Sequence, residues 1–124
     1  MGEEKEMSDL IDRREERLVL ATMLADPESI PEIASEINAE CFYTSSHRVL
    51  FTVLIEMSGQ DQAIDPVLLK GYLERTGKLK LAGGQEYLEV LACEQPLQSD
   101  AIPDYCKLIR RQALQSRLVC TLMN

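Results

Sequence analysis

The chain has 124 residues and a net charge of −8, with 45% hydrophobic and 27% charged residues, which is the balance of one folded domain and excludes wholesale disorder, collagen and a membrane-embedded chain. Thirteen Lys and Arg against 21 Asp and Glu argue against a free-standing nucleic-acid binder, whose affinity rests on an exposed cationic face. Cys41, Cys93, Cys106 and Cys120 are widely spaced with no Cys-x-x-Cys pair, so free thiols in a reducing cytosol are expected rather than disulfide staples or a zinc ribbon.

Residues 1–11 are polar, acidic and aperiodic and read as a disordered lead-in without a secretory h-region. Asp12 and Glu15 form a capping-box signature, and the apolar run Leu18–Ala25 predicts a first helix, Arg13–Ala25, apolar around much of its girth. Asp26-Pro27 ends it, and a short helix follows through Ile30, Ile33, Ala34 and Ile37. Asn38 is placed to cap a turn carrying Cys41, Phe42 and Tyr43. Ser45 or Ser46 then caps a strong helix, His47–Ser58, which Gly59 ends as a left-handed C-cap. Asp65-Pro66 opens another through Leu69 and Leu73 that closes at Gly77. Gly83-Gly84 makes a turn before Gln85–Cys93, and Pro96 closes that unit. Asp100 caps a last helix with Pro103 in its first turn. No segment shows sustained period-two alternation.

The expected fold is therefore all-α: a head of five to six short helices over residues 12–97, and a longer C-terminal helix over residues 98–124. That last helix stands apart in charge. Lys107, Arg110, Arg111 and Arg117 against Asp100 and Asp104 make it +2, leaving −10 for the rest. Ile102, Cys106, Ile109 and Ala113 form one apolar stripe, and Leu118, Val119, Cys120, Leu122 and Met123 extend apolar character nearly all round. Such a helix must be covered, and with a self-contained head the expected cover is another subunit or another segment.

Phosphate-binding and catalytic signatures are missing from the sequence. No Gly-x-x-x-x-Gly-Lys-Ser/Thr or Gly-x-Ser-x-Gly is present, Gly83-Gly84 lacks a lysine and a preceding strand, and the single histidine, His47, with Cys41 is too sparse for tetrahedral zinc. No catalytic, cofactor-binding or metal-ligating residue is assigned. His47-Arg48 reads as a helix start with a solvated or capping charge. Phe42, Tyr43, Phe51, Tyr72 and Tyr87 read as core. Tyr105, Ile109, Arg110, Ala113, Arg117 and Leu118 are the candidate protein-interface residues, because interfaces favour Tyr and Arg and this helix has no evident mate.

The string Val19-Leu20-Ala21-Thr22-Met23-Leu24-Ala25-Asp26, then Phe42-Tyr43, His47-Arg48, Phe51, Ile64-Asp65, Leu73-Glu74, Gly77, Gly83-Gly84, Tyr87-Leu88, Pro96, Tyr105 and Ile109-Arg110 resembles the N-terminal domain of DnaB-family replicative DNA helicases, over about Leu10 to Leu118. The chain departs from that pattern at Cys41 (usually Asp), Ala63 (commonly Pro), Ala21 (commonly Gly) and by one extra residue between Pro96 and Tyr105.

The resemblance implies that the C-terminal helix is the first half of an antiparallel helical hairpin through which two domains pair, three such dimers forming a collar on a hexameric ring. It implies primase, by its C-terminal domain, and a helicase loader as docking partners, DNA being engaged only through the full-length hexamer. ATP and magnesium would be cofactors of a following RecA-like domain, so this segment would be non-enzymatic within an ATP-dependent parent. A cytoplasmic location without membrane contact is expected. Two readings of other classes stand beside it: a helix-turn-helix nucleic-acid binder using Asp65–Gly77 and Lys107–Arg117, or a small adaptor.

Overall fold

The computed structural model describes the chain from Arg14 to Met123, with side chains up to Leu114. Six α-helices follow one another among these residues: α1 (Arg14–Ala25), α2 (Ile30–Glu36), α3 (Ser45–Gly59), α4 (Pro66–Arg75), α5 (Gly84–Cys93) and α6 (Ile102–Met123). Single 3-10 turns at Pro27–Ser29 and Ala39–Cys41 join the first three, and no strand occurs among the described residues. The all-α expectation holds.

The run Leu18–Leu24 is buried at every position, because α1 lies at the centre and packs on α3, α5 and α6. The core around it draws Ile30 and Ile33 from α2, Leu50, Leu54 and Met57 from α3, Leu69 and Leu73 from α4, and Leu88 and Leu91 from α5. A central helix can carry a buried polar residue only if its hydrogen bonds are made within the protein. Thr22 meets that condition: its Oγ1 donates to the Leu18 carbonyl at 2.7 Å and accepts from the Leu97 amide at 2.8 Å. With the Arg17–Glu94 ion pair at 2.9 Å, this ties the segment leading into α6 down onto α1.

Helix ends follow the sequence signals in part. Asp65 caps α4, its Oδ1 accepting from the Leu68 amide at 2.8 Å with Pro66 as the first helical residue. Asp65→Ala should therefore cost about 1 kcal/mol in urea unfolding, with α4 fraying first in amide exchange. Gly77 and Gly83 adopt positive φ (72° and 106°), as their turns require. At Gly83 a Cβ would also sit 2.9 Å from the Tyr87 ring.

Three end assignments are corrected. Thr44, not Ser45 or Ser46, is the N-cap of α3, and its side chain makes no cap bond. Gly59 remains helical, and the left-handed residue is Asp61, with φ 57°, which the local acceptor of Asp makes tolerable. Ala101 rather than Asp100 holds the cap position of α6, since its carbonyl accepts the first helical bond, from the Tyr105 amide. The proposed Asp12 cap and the lead-in over residues 1–11 lie outside the described residues.

Candidate protein-docking surface

Helix α6 presents two faces at 3.6 residues per turn. Ile102, Cys106 and Ile109 share one face and are buried, because that face packs against α1, α2 and the Ala39–Cys41 turn. This corrects two expectations. Ile109 is a core residue of its own chain rather than an interface residue, and the head does not end at residue 97, since the first two turns of α6 complete its core. Burial also pushes the Cys106 thiol up to about 11, which keeps it protonated and unreactive.

The other candidate residues fall around this buried stripe. Tyr105 packs half-buried against the core, and Ala113 is half-buried at its far end. Arg110 reaches Glu36 of α2 at 3.5 Å in an exposed pair, a contact worth little to stability. The side chains of Arg117 and Leu118 lie outside the described set.

On the opposite face Leu108 and Leu114 are 40% and 62% exposed, and Lys107 and Arg111 beside them are exposed with no carboxylate within ion-pair distance among the described residues. Six residues apart, the two leucines stand about 120° apart around the helix, on either side of Arg111 and Lys107. Nothing in the described chain covers this face.

A second feature lies inside the head, and the sequence reading missed it. His47 is 1% exposed. Its Nδ1 faces Glu16 Oε1 at 2.8 Å, and its Nε2 meets the Tyr87 hydroxyl at 2.5 Å, so one chain of bonds joins α1, α3 and α5. Glu16 also accepts from the Tyr43 amide at 2.8 Å and the Thr44 amide at 3.5 Å.

Burial pushes the Glu16 carboxyl up, but the His47 hydrogen bond, the two amides and the His47 charge together hold it below its ordinary value of 4.5. Burial raises the Tyr87 phenol to about 12. The carboxylate thus pairs with His47 Nδ1, and His47 Nε2 pairs with the Tyr87 hydroxyl. Neighbouring Arg48 donates from Nε to the Phe42 carbonyl at 2.8 Å and from a terminal nitrogen to the Tyr43 carbonyl at 3.0 Å. His47-Arg48 therefore locks the turn before α3. Phe42 and Phe51 are core as expected, Tyr72 and Tyr87 border it, and Tyr43 is 58% exposed against expectation.

The helix-turn-helix pairing is not present. Helix α4 packs on α5, whereas α6 lies on α1 and α2, so Asp65–Gly77 and Lys107–Arg117 do not form the adjacent pair that motif requires. Among the described residues no group of His, Cys, Asp or Glu could hold a metal ion, and no helix is long and apolar enough to cross a membrane.

The family model of the DnaB-like helicase N-terminal domain matches residues 9–111. The chain belongs to that family. Among its relatives, the replicative DNA helicase DnaB of Rhodothermus marinus is 31% identical over 104 residues, 84% of this chain and 11% of that protein. DnaB of Mycobacterium leprae (strain TN) is 28% identical over 104 residues, 84% of this chain and 17% of that one. This chain thus spans between a tenth and a fifth of the length of these two relatives.

The crystal structure of the N-terminal domain of DnaB helicase from Mycobacterium tuberculosis superposes with a TM-score of 0.76 at 26% identity, over 85% of this chain and 75% of that one. A DnaB-like replicative helicase whose structure was described with its interactions with primase gives 0.69 at 20% identity, over 88% of this chain and 25% of that one, and shows the shared fold. In this DnaB-like domain, several residues that carried the resemblance converge in space. Phe42, His47, Arg48, Gly83 and Tyr87 all sit on or beside the buried relay.

Proposed function

We propose that this domain is a collar module of a hexameric replicative helicase, acting in the cytoplasm in DNA replication by pairing with further copies and docking primase and a helicase loader. The observation that carries the reading is the match of residues 9–111 to the DnaB-like helicase N-terminal domain; on the outer face of α6 Leu108 and Leu114 stand exposed on either side of Lys107 and Arg111 while the inner face is used up in the head. Membership of the DnaB N-terminal family supports the partner class, and the primase interactions named for a neighbour of the same fold support primase as one partner.

In this reading the module is non-catalytic, and ATP and magnesium belong to the larger part of the relatives that this chain does not span. The test is a sedimentation series with and without Leu108→Ser/Leu114→Ser. The expected result is concentration-dependent association that the double substitution weakens by about tenfold or more, with the far-ultraviolet spectrum unchanged. A strict monomer at millimolar concentration rejects the pairing role. Titration with the C-terminal domain of primase tests docking, and the absence of any heat or mobility change rejects it.

A further inference from the structure

Cys41 and Cys106 are far apart in the sequence and neighbours in the fold. Cys106 lies on the face of α6 that packs against the Ala39–Cys41 turn, and none of its surface is exposed. Cys41 ends that turn, part-buried against the same core cluster. The two thiols share one electrostatic neighbourhood: burial is the main cause that raises the Cys106 thiol, Glu36, Glu32 and Cys41 add to it, and Arg110 opposes it. These groups could not hold a metal ion, which leaves thiol chemistry.

The two positions suit unequal parts. Cys106 is closed to reagents in solution and stays protonated, so oxidation cannot begin there. Cys41 is partly exposed. Its Sγ donates to Asn38 Oδ1 at 3.5 Å, a weak bond that a turn about χ1 gives up at little cost. The turn itself rests on the Cys41 amide donating to the Asn38 carbonyl at 3.0 Å and the Phe42 amide donating to the Ala39 carbonyl at 3.2 Å. Its Cα atoms approach those of α6 within 8 Å. A disulfide takes about 4.4–6.8 Å, so closure asks for a small shift of a short segment rather than an opening of the core. The family pattern usually has Asp at position 41 and then cannot form such a pair, so the pairing is a property of this chain.

We propose that Cys41 and Cys106 form a redox latch, open as two thiols under reducing conditions and closed as a disulfide that pins the Ala39–Cys41 turn to α6 when oxidised glutathione accumulates. In the first step the Cys41 thiolate attacks one sulfur of glutathione disulfide. A mixed disulfide forms, and one glutathione leaves with the Cys41 proton. Cys106 then attacks Cys41 Sγ from inside the core, the bond between the two cysteines forms, and the second glutathione leaves with the Cys106 proton. Two protein thiols lose two electrons, and one glutathione disulfide is reduced to two glutathiones. The second step is intramolecular, so proximity lets a thiol that is inert to dissolved reagents compete, and a thiol that holds its proton tightly is the stronger nucleophile once ionised.

Incubation of the folded chain with oxidised glutathione, in a form carrying Cys93→Ser, tests the latch after free thiols are blocked and tryptic peptides are mapped by mass spectrometry. The exposed Cys93 is replaced because trypsin leaves it on the same peptide as Cys106. A peptide cross-linked through Cys41 and Cys106 is expected. The urea midpoint should rise and dithiothreitol should reverse the rise, while amide exchange in the first turns of α6 slows by about tenfold or more. With Cys106→Ala, which buries no unpaired hydroxyl, Cys41 should keep its glutathione because nothing displaces it. A Cys106 that stays reduced while Cys41 is fully glutathionylated overturns the latch, as does a cross-link that forms only in urea or that joins Cys106 to Cys120. The mapping of the Cys93→Ser form decides between these outcomes even if Cys106→Ala fails to fold.

Discussion

Glu16→Gln should destabilise the domain by about 2–4 kcal/mol, because a buried carboxylate that serves three donors is replaced by a group with a single acceptor. In the native chain Oε2 accepts from the Tyr43 amide, and Oε1 from His47 Nδ1 and the Thr44 amide. Glutamine turns an NH2 toward one of these positions. Placed against the Tyr43 amide, it sets donor against donor. Placed against His47, it takes from Nδ1 the carboxylate oxygen that it faces in the native chain. Neither arrangement satisfies every group. The midpoint of urea unfolding should fall while its slope is kept, and Tyr87→Phe, which removes one donor and leaves Nε2 without a partner, should cost less.

The same residue governs acid sensitivity. The Glu16 carboxyl is held below 4.5 in the folded chain, so the folded state binds its proton more weakly than the unfolded state does. Its contribution to stability is complete above 4.5 and is lost as the pH falls through the lower folded value. Unfolding free energy followed from about pH 6 to about pH 3 should therefore drop more steeply for the native chain than for Glu16→Gln. Parallel curves would show that Glu16 is not held ionised by this relay.

How much of this was legible in the sequence depends on whether the signal was local. Asp65-Pro66 and Gly77 each act within one turn of chain, and the structure realises both. The Gly59 stop failed because glycine permits a left-handed conformation without requiring one, and Asp61 supplied it two residues later. The relay was missed because it joins residues 16, 47 and 87, and a single histidine in a helix's first turn is ordinarily solvated. A signal was nonetheless present. His47 falls in register with Leu50, Phe51 and Leu54, and Glu16 with Val19, Leu20 and Met23, so each polar residue stood in an apolar stripe. Two polar residues each occupying a core position of its helix are best read as partners.

Ile109 on α6 departs from its sequence reading for a related reason, and the difference gives the second large effect. Ile109→Ala should cost about 2–4 kcal/mol of folding free energy, although an interface residue on a projecting helix would cost the monomer almost nothing. An amphipathic period identifies the face of α6 that must be covered, but it cannot say by what. Ile102, Cys106 and Ile109 meet α1, α2 and the Ala39–Cys41 turn of the same chain, so truncating Ile109 opens a cavity in the core. Leu114→Ala, one and a half turns later on the exposed face, should leave unfolding within about 0.5 kcal/mol of the native value. Measured at a concentration where the chain is monomeric, the pair separates the two roles of one helix. If Ile109→Ala proves neutral under those conditions, α6 does not belong to the core and the head ends where the sequence first placed it.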